Sequence, residues 1–239
     1  ASFVRYVLEK EGDVAAVIAE PARAVPYIPP PGYWQMVRQA CNDHGALLIF
    51  DEIPTGLGKT GKMFACEHDD VVPDILVLGK ALGGGILPIA AVLAKSELDV
   101  AGEFAFGHYT HEKNPVTAKA ALTTIEIIEQ EGLVKNAADL GKYMLEQLNL
   151  LKAKHSTIGD VRGRGLLVGV ELVLNQEEKT PANDLAEDVL YRCLSKGLSF
   201  KLTMGNVMTL TPPLIIKKAQ IELSLEIIDQ SLSEAEQAL

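Results

Sequence analysis

Positive charge is in short supply in this sequence, which sets 22 Lys and Arg against 32 Asp and Glu for a formal net charge of −10. That balance leaves no electrostatic footprint for a nucleic acid or an anionic membrane surface. An anionic small ligand would need local donors. Cysteine is scarce as well: Cys41, Cys66 and Cys193 fall in no metal-ligand spacing, and their odd number argues against a disulfide framework. They read as small buried apolar side chains in a reducing compartment. Long apolar runs are also missing. The longest, from Gly85 to Ala94, is too short to span a bilayer, and the N-terminus shows no signal-peptide pattern. The protein therefore reads as cytoplasmic, with no nucleic-acid and no membrane partner.

What is present is ordinary globular material, 48% hydrophobic and 23% charged over 239 residues, enough for one large domain or two small ones. Short β-type runs alternate with helical patterns, the signature of βαβ units and a largely parallel sheet. VAAVIA (14–19), LLIF (47–50), ILVL (75–78) and IAAVLA (89–94) are the candidate strands. Between the first two, Tyr33, Val37, Ala40 and Cys41 repeat at helical spacing, and Gly45 closes that helix. Ala118, Leu122, Ile125 and Ile128 predict the apolar face of a helix after Pro115. A second helix follows, with Leu133, Ala137, Leu140, Met144, Leu148 and Leu151. Beyond about Ile158 the pattern changes: strands at 166–173 and 207–210, a helix through Leu185, Val189 and Cys193, and a terminal amphipathic helix through Ile221, Leu225, Ile228 and Leu232. This predicts a larger domain over 1–152 and a small α+β domain over 153–239.

The stretch LLIFDEIPTGLGKTGKMF (47–64) looks like two nucleotide-binding signatures run together. Gly56-x4-Gly61-Lys62 nearly spells a phosphate loop, but the residue after its lysine is Met63, which has no hydroxyl for magnesium, and the acidic strand precedes the loop. ATP chemistry is disfavoured. In open α/β sheets ligands collect at the carboxyl ends of the strands. Asp51 follows LLIF, and Lys80 follows ILVLG and precedes Gly83 to Gly85. Either residue alone reads as a solvated strand-end group. Together they meet the paired needs of pyridoxal phosphate chemistry: a lysine for the Schiff base and proton shuttling, and an acid that keeps the pyridine nitrogen protonated. His108 and His111 flank Thr110, but with no third ligand in motif spacing no metal is expected.

The ordered series AAVIAEP (15–21), PPPGYW (29–34), ALLIFDEIPTGLGKTGKMFACEH (46–68), PDILVLGKALGGGILPIAAVL (73–93), THEKNPV (110–116), VRGRGLLVGVEL (161–172) and LTPPLII (210–216) resembles class III aminotransferases over nearly the whole chain. The resemblance implies the α/β fold type I architecture of pyridoxal-5′-phosphate-dependent transferases: part of the large, mostly parallel-sheet domain plus a C-terminal α+β small domain. It implies Lys80 as the Schiff-base lysine, Asp51 at the pyridine nitrogen, and Ile53 packed on the cofactor ring. Thr110 would reach the cofactor phosphate of a neighbouring subunit in a homodimer with shared sites, and Glu20 would line the active site. Two departures stand out. Pro54 replaces a glutamine donor common in the family, and Thr209 stands where many members carry a carboxylate-clamping arginine. The expected activity is transfer of an amino group from an amine or ω-amino acid to an oxo acid. The alternatives are a lyase that eliminates ammonia or phosphate from a phospho- or phosphonate amine, or a non-catalytic remnant. The family's N-terminal half, with its glycine-rich phosphate loop and stacking aromatic, has no counterpart here. The chain alone is expected to be an inactive fragment with an exposed sheet edge.

Overall fold

A computed structural model describes the chain except residues 105, 106, 108, 109 and 239. His108 thus lies outside the described residues. The chain forms two compact units, and the second borrows two short segments from the first's sequence range. The first holds Ala1–Ala22, Pro29–Gly58 and Lys62–Gly132; the second holds Arg23–Ile28, Lys59–Gly61 and Leu133–Leu239.

In the first unit, strands β1 (Ala16–Ala19), β2 (Leu47–Asp51), β3 (Ile75–Leu78) and β4 (Ala91–Ala94) lie in the order β1-β2-β3-β4. The first three are parallel and β4 is antiparallel to β3. Helix α1 (Ser2–Glu11) precedes β1, and α2 (Tyr33–His44) joins β1 to β2. Trp34, Val37, Ala40 and Cys41 form the buried face of α2 against Leu48 and Phe50. Trp34, not the predicted Tyr33, is the aromatic that goes inside. Its indole Nε1 donates to the Pro21 carbonyl at 2.7 Å, satisfying the one polar atom the ring carries inward. Helix α3 (Pro115–Gln130) is capped by Asn114, whose side chain accepts from the Val116 amide at 2.9 Å. Its predicted face is rotated: Ala121 and Ile128 are buried, whereas Ala118 and Leu122 are exposed. At the edge strand β4, Val92 is 69% exposed and Leu93 48%.

The second unit is an antiparallel sheet covered by helices. Strands β5 (Ile158–Arg164), β6 (Leu167–Leu172), β7 (Lys201–Thr203) and β8 (Val207–Leu210) lie in the order β5-β6-β8-β7. Helices α4 (Leu133–Lys154), α5 (Asn183–Ser195) and α6 (Lys218–Glu236) bury Met144, Leu148, Val189, Ile221, Ile228 and Leu232 against Val168, Val170, Leu172 and Met208. The sequence places a boundary after residue 152, but the compact units part after Gly132, because the apolar face of α4 belongs to this core. Close backbone approach fixes two glycines. A Cβ on Gly141 would lie 2.2 Å from the Gly165 carbonyl oxygen, and one on Gly165, at φ 54°, would lie 2.3 Å from the Thr60 carbonyl carbon. Arg162 holds the other borrowed segment: its Nε donates to the Pro26 carbonyl at 2.7 Å, and its guanidinium sits 4.3 Å from the Tyr27 ring centroid.

Candidate active site

Strand register brings three of the sequence-predicted residues to one rim of the first unit. Ala19 pairs with Phe50, and Asp51 pairs with Val77. Glu20, Asp51 and Lys80 therefore leave the carboxyl ends of three adjacent parallel strands, where open sheets of this kind hold their ligands. Asp51 is partly buried. Its Oδ1 accepts from the Ile53 amide at 3.0 Å, and its Oδ2 has no donor among the described residues. Lys80 is exposed, and its ammonium has no hydrogen-bond partner among the described residues. Its backbone is held at φ 45°, in the left-handed region that non-glycine residues avoid. Such strain concentrates at functional positions. The Ile53 side chain lies beside Gly79, where a Cβ would sit 3.4 Å from Ile53 Cγ1, so it borders the residue that precedes the lysine.

The glycines after Lys80 shape a reversal. A short 3-10 helix, Lys80–Gly83, ends at Gly84, whose φ of 70° favours glycine and where a Cβ would crowd the Thr124 hydroxyl at 3.1 Å. The phosphate-loop look-alike has another use. Gly56 packs where a Cβ would come within 3.0 Å of the Glu52 carbonyl oxygen, and the loop carries Lys59 into the second unit, where its Nζ donates to the Pro212 carbonyl at 2.8 Å. Burial pushes the pKa of the Lys59 ammonium down. That lysine is committed to protein, not to phosphate.

The remaining predicted residues lie elsewhere. Thr110 is exposed in the turn before α3, and no hydrogen bond among the described residues ties it to Asp51 or Lys80. Thr209 belongs to the second unit, where it is buried in β8 with its hydroxyl 2.8 Å from that of Thr203. A cleft of about 620 Å³ opens near the start of β3 beside Asp74 and Lys95, at the end of the strand away from Lys80. Its central carboxylate is already used: Asp74 accepts from Arg38, Lys95 and the Leu48 amide. Sequence reasoning missed Glu52, which is 1% exposed and accepts three hydrogen bonds. The available signal was an acid directly after an apolar strand, followed by Thr55 and a glycine turn.

A half-buried carboxylate and an exposed amine, the amine with no hydrogen-bond partner among the described residues, thus stand at the ends of adjacent parallel strands. Solved structures share the scaffold: an aminotransferase of Bacillus anthracis superposes with a TM-score of 0.92 at 36% identity, over 98% of this chain and 56% of that one. The architecture is fold type I, that of pyridoxal-phosphate-dependent transaminases. The sequence model of the class-III aminotransferases matches residues 2–232, and the chain belongs to that family. Among curated relatives, the (R)-1-hydroxy-2-aminoethylphosphonate ammonia-lyase of Vibrio splendidus is 45% identical over 98% of this chain and 49% of its own length. Ornithine aminotransferase 1 of Staphylococcus saprophyticus is 40% identical over 91% of this chain and 52% of its own. The chain spans about half the length of the curated relatives it matches.

Proposed function

We propose that the protein is a pyridoxal-5′-phosphate-dependent aminotransferase, moving an amino group from an amine or ω-amino acid to an oxo acid. The observation that carries this reading is the pairing of Asp51 and Lys80 at the ends of adjacent parallel strands, each with a polar atom unengaged by the described protein. When bound, the cofactor supplies an electron sink for the pair released at the substrate carbon. Lys80 Nζ would hold the cofactor and would carry a proton to and from the substrate carbon. Asp51 keeps the ring nitrogen protonated, since an adjacent carboxylate favours the charged form of its partner. Ile53 would pack on the ring, and Glu20 would line the substrate side.

Further support comes from Thr110. Its exposed turn, untied to Asp51 or Lys80, fits a threonine that serves the phosphate held by a second copy, in a homodimer with shared sites. A cytoplasmic location fits three free, buried cysteines, and among the described residues no helix is long and apolar enough to cross a membrane. A second reading, elimination of ammonia from a phosphonate amine, rests on the ammonia-lyase relative and on Thr209, which offers one hydroxyl where a guanidinium would fork onto a carboxylate. The family and its transaminase structures favour transfer.

Borohydride reduction of the protein with pyridoxal phosphate, followed by peptide mapping, is expected to label Lys80; label on another lysine overturns the assignment. A single turnover of the full-length enzyme with a panel of amines separates transfer from elimination. Transfer keeps the nitrogen until an oxo acid collects it. Elimination releases free ammonia without one.

A further inference from the structure

The buried acid next to Asp51 is a charged group that the proposed chemistry leaves unused. Its carboxylate accepts from the Thr55 hydroxyl at 2.7 Å, the Ala65 amide at 2.9 Å and the Cys66 amide at 2.8 Å. Thr55 is fully buried and Cys66 nearly so. The backbone of the same residue is fixed on both sides: its amide donates to the Val77 carbonyl of β3 at 2.9 Å, and its carbonyl accepts from the Gly56 amide at 2.8 Å. One residue thus closes the neck of the loop 53–64 and pins the exit of β2 to β3.

A carboxyl group buried with three donors is strongly held, because buried hydrogen-bond networks meet little competition from water. Its two neighbours are the residues assigned to the cofactor ring. Asp51 and Ile53 are joined by a hydrogen bond of their own, Ile53 amide to Asp51 Oδ1, and that bond sets the rotation of the aspartate side chain. A residue anchored between them limits the backbone freedom of both. We propose that Glu52 is a positioning residue, whose buried carboxylate fixes the orientation in which Asp51 and Ile53 are presented at the rim. The proposal rests on the reading of Asp51 as the ring-nitrogen partner only for its functional consequence; the positioning itself is a property of this chain.

A purely structural neck and a positioning anchor make different marks. A carboxamide in place of the carboxylate turns one of the accepting atoms into a donor facing other donors. In Glu52→Gln, both roles predict faster hydrogen exchange at the Ala65 and Cys66 amides. Only the positioning role predicts faster exchange at Ile53, whose amide reports the Asp51 side chain. The expected rise at Ile53 is about tenfold or more, the scale of one weakened charged hydrogen bond. Unchanged Ile53 exchange in folded Glu52→Gln, with Ala65 and Cys66 loosened, overturns the proposal. If that variant does not fold, Thr55→Val removes one donor while two amides remain, and a smaller rise at Ile53, about threefold, is expected; no rise there overturns the proposal equally. In the full-length enzyme with pyridoxal phosphate bound, turnover is expected to fall in Glu52→Gln and in Asp51→Asn alike. Raised Ile53 exchange with wild-type turnover would uphold the positioning and reject instead the role assigned to Asp51.

Discussion

Each compact unit buries a cluster of charges at a helix–sheet seam, and the two clusters reverse one another's roles. In the first unit the centre is an acid: Asp74, 10% exposed, lies 2.6 Å from Arg38 Nη1 and 2.7 Å from both Lys95 Nζ and the Leu48 amide. In the second the centre is a base: His155, 2% exposed, has Glu236 Oε2 at 2.7 Å from Nδ1 and Asp229 Oδ1 at 2.6 Å from Nε2. Lys154 and Thr157 complete the second cluster by donating to Asp229 and Glu236. The difference teaches what each unit loses with its centre: the acid of the first gathers three donors from separate elements, whereas the imidazole of the second holds two carboxylates of one helix.

Removing the central base should have the largest effect. His155→Ala removes one partner from each of two carboxylates that keep Lys154 and Thr157, and a hydrogen bond to a charged group typically contributes about 1.5–3 kcal/mol. Urea unfolding of the variant reads this directly, and a loss below about 1 kcal/mol would show that the clasp is dispensable. Next comes Asp74→Asn. Burial alone would raise the Asp74 pKa, but the Leu48 amide, Lys95 and Arg38 outweigh it and hold the carboxyl down to about 2. Its folded value lies below its unfolded one, so its stabilisation is complete above about pH 4 and disappears as pH falls through about 2. The substitution should cost about 2 kcal/mol at neutral pH and flatten the acid limb between those values. A variant whose acid limb follows the wild type would remove Asp74 as its source. The smallest change is expected from Lys95→Ala. That side chain is 41% exposed, and a solvent-screened pair contributes about 0–1 kcal/mol. A thermal-unfolding loss beyond about 2 kcal/mol would mean that Lys95, not Arg38, holds the cluster.

The two units also differ in how much of them the sequence discloses. The parallel strands of the first unit are short apolar runs bounded by turn residues, so β2 and β3 stand out, and with them Asp51 and Lys80 at their ends. Strand β5, read off IGDVRGR, carries two glycines and three charged residues and has no apolar alternation to detect. It is a strand because β6 pairs with it along almost its whole length. Strand β7 is only three residues long. Helix α1 buries Leu8 alone among its ten residues, so its periodic signal is faint. The face of α3 is rotated because periodicity shows that a stripe exists, not which part of it the unit covers. Glu52 was legible as an acid but not as an anchor, since two of its three partners lie 13 and 14 residues away. Contacts of that range are made by the fold and leave no local pattern.

The borrowed segments carry a consequence for how the chain reaches this state. Arg162 meets Pro26 across 136 residues of sequence, and Lys59 meets Pro212 across 153. Loop closure over such spans is costly before any contact rewards it, and folding slows as contacts become more distant in sequence. During synthesis, residues 23–28 and 59–61 emerge long before the sheet that receives them. Those two loops find their partners only once residues 133–239 are made, so the second unit cannot be completed by its own continuous stretch of chain.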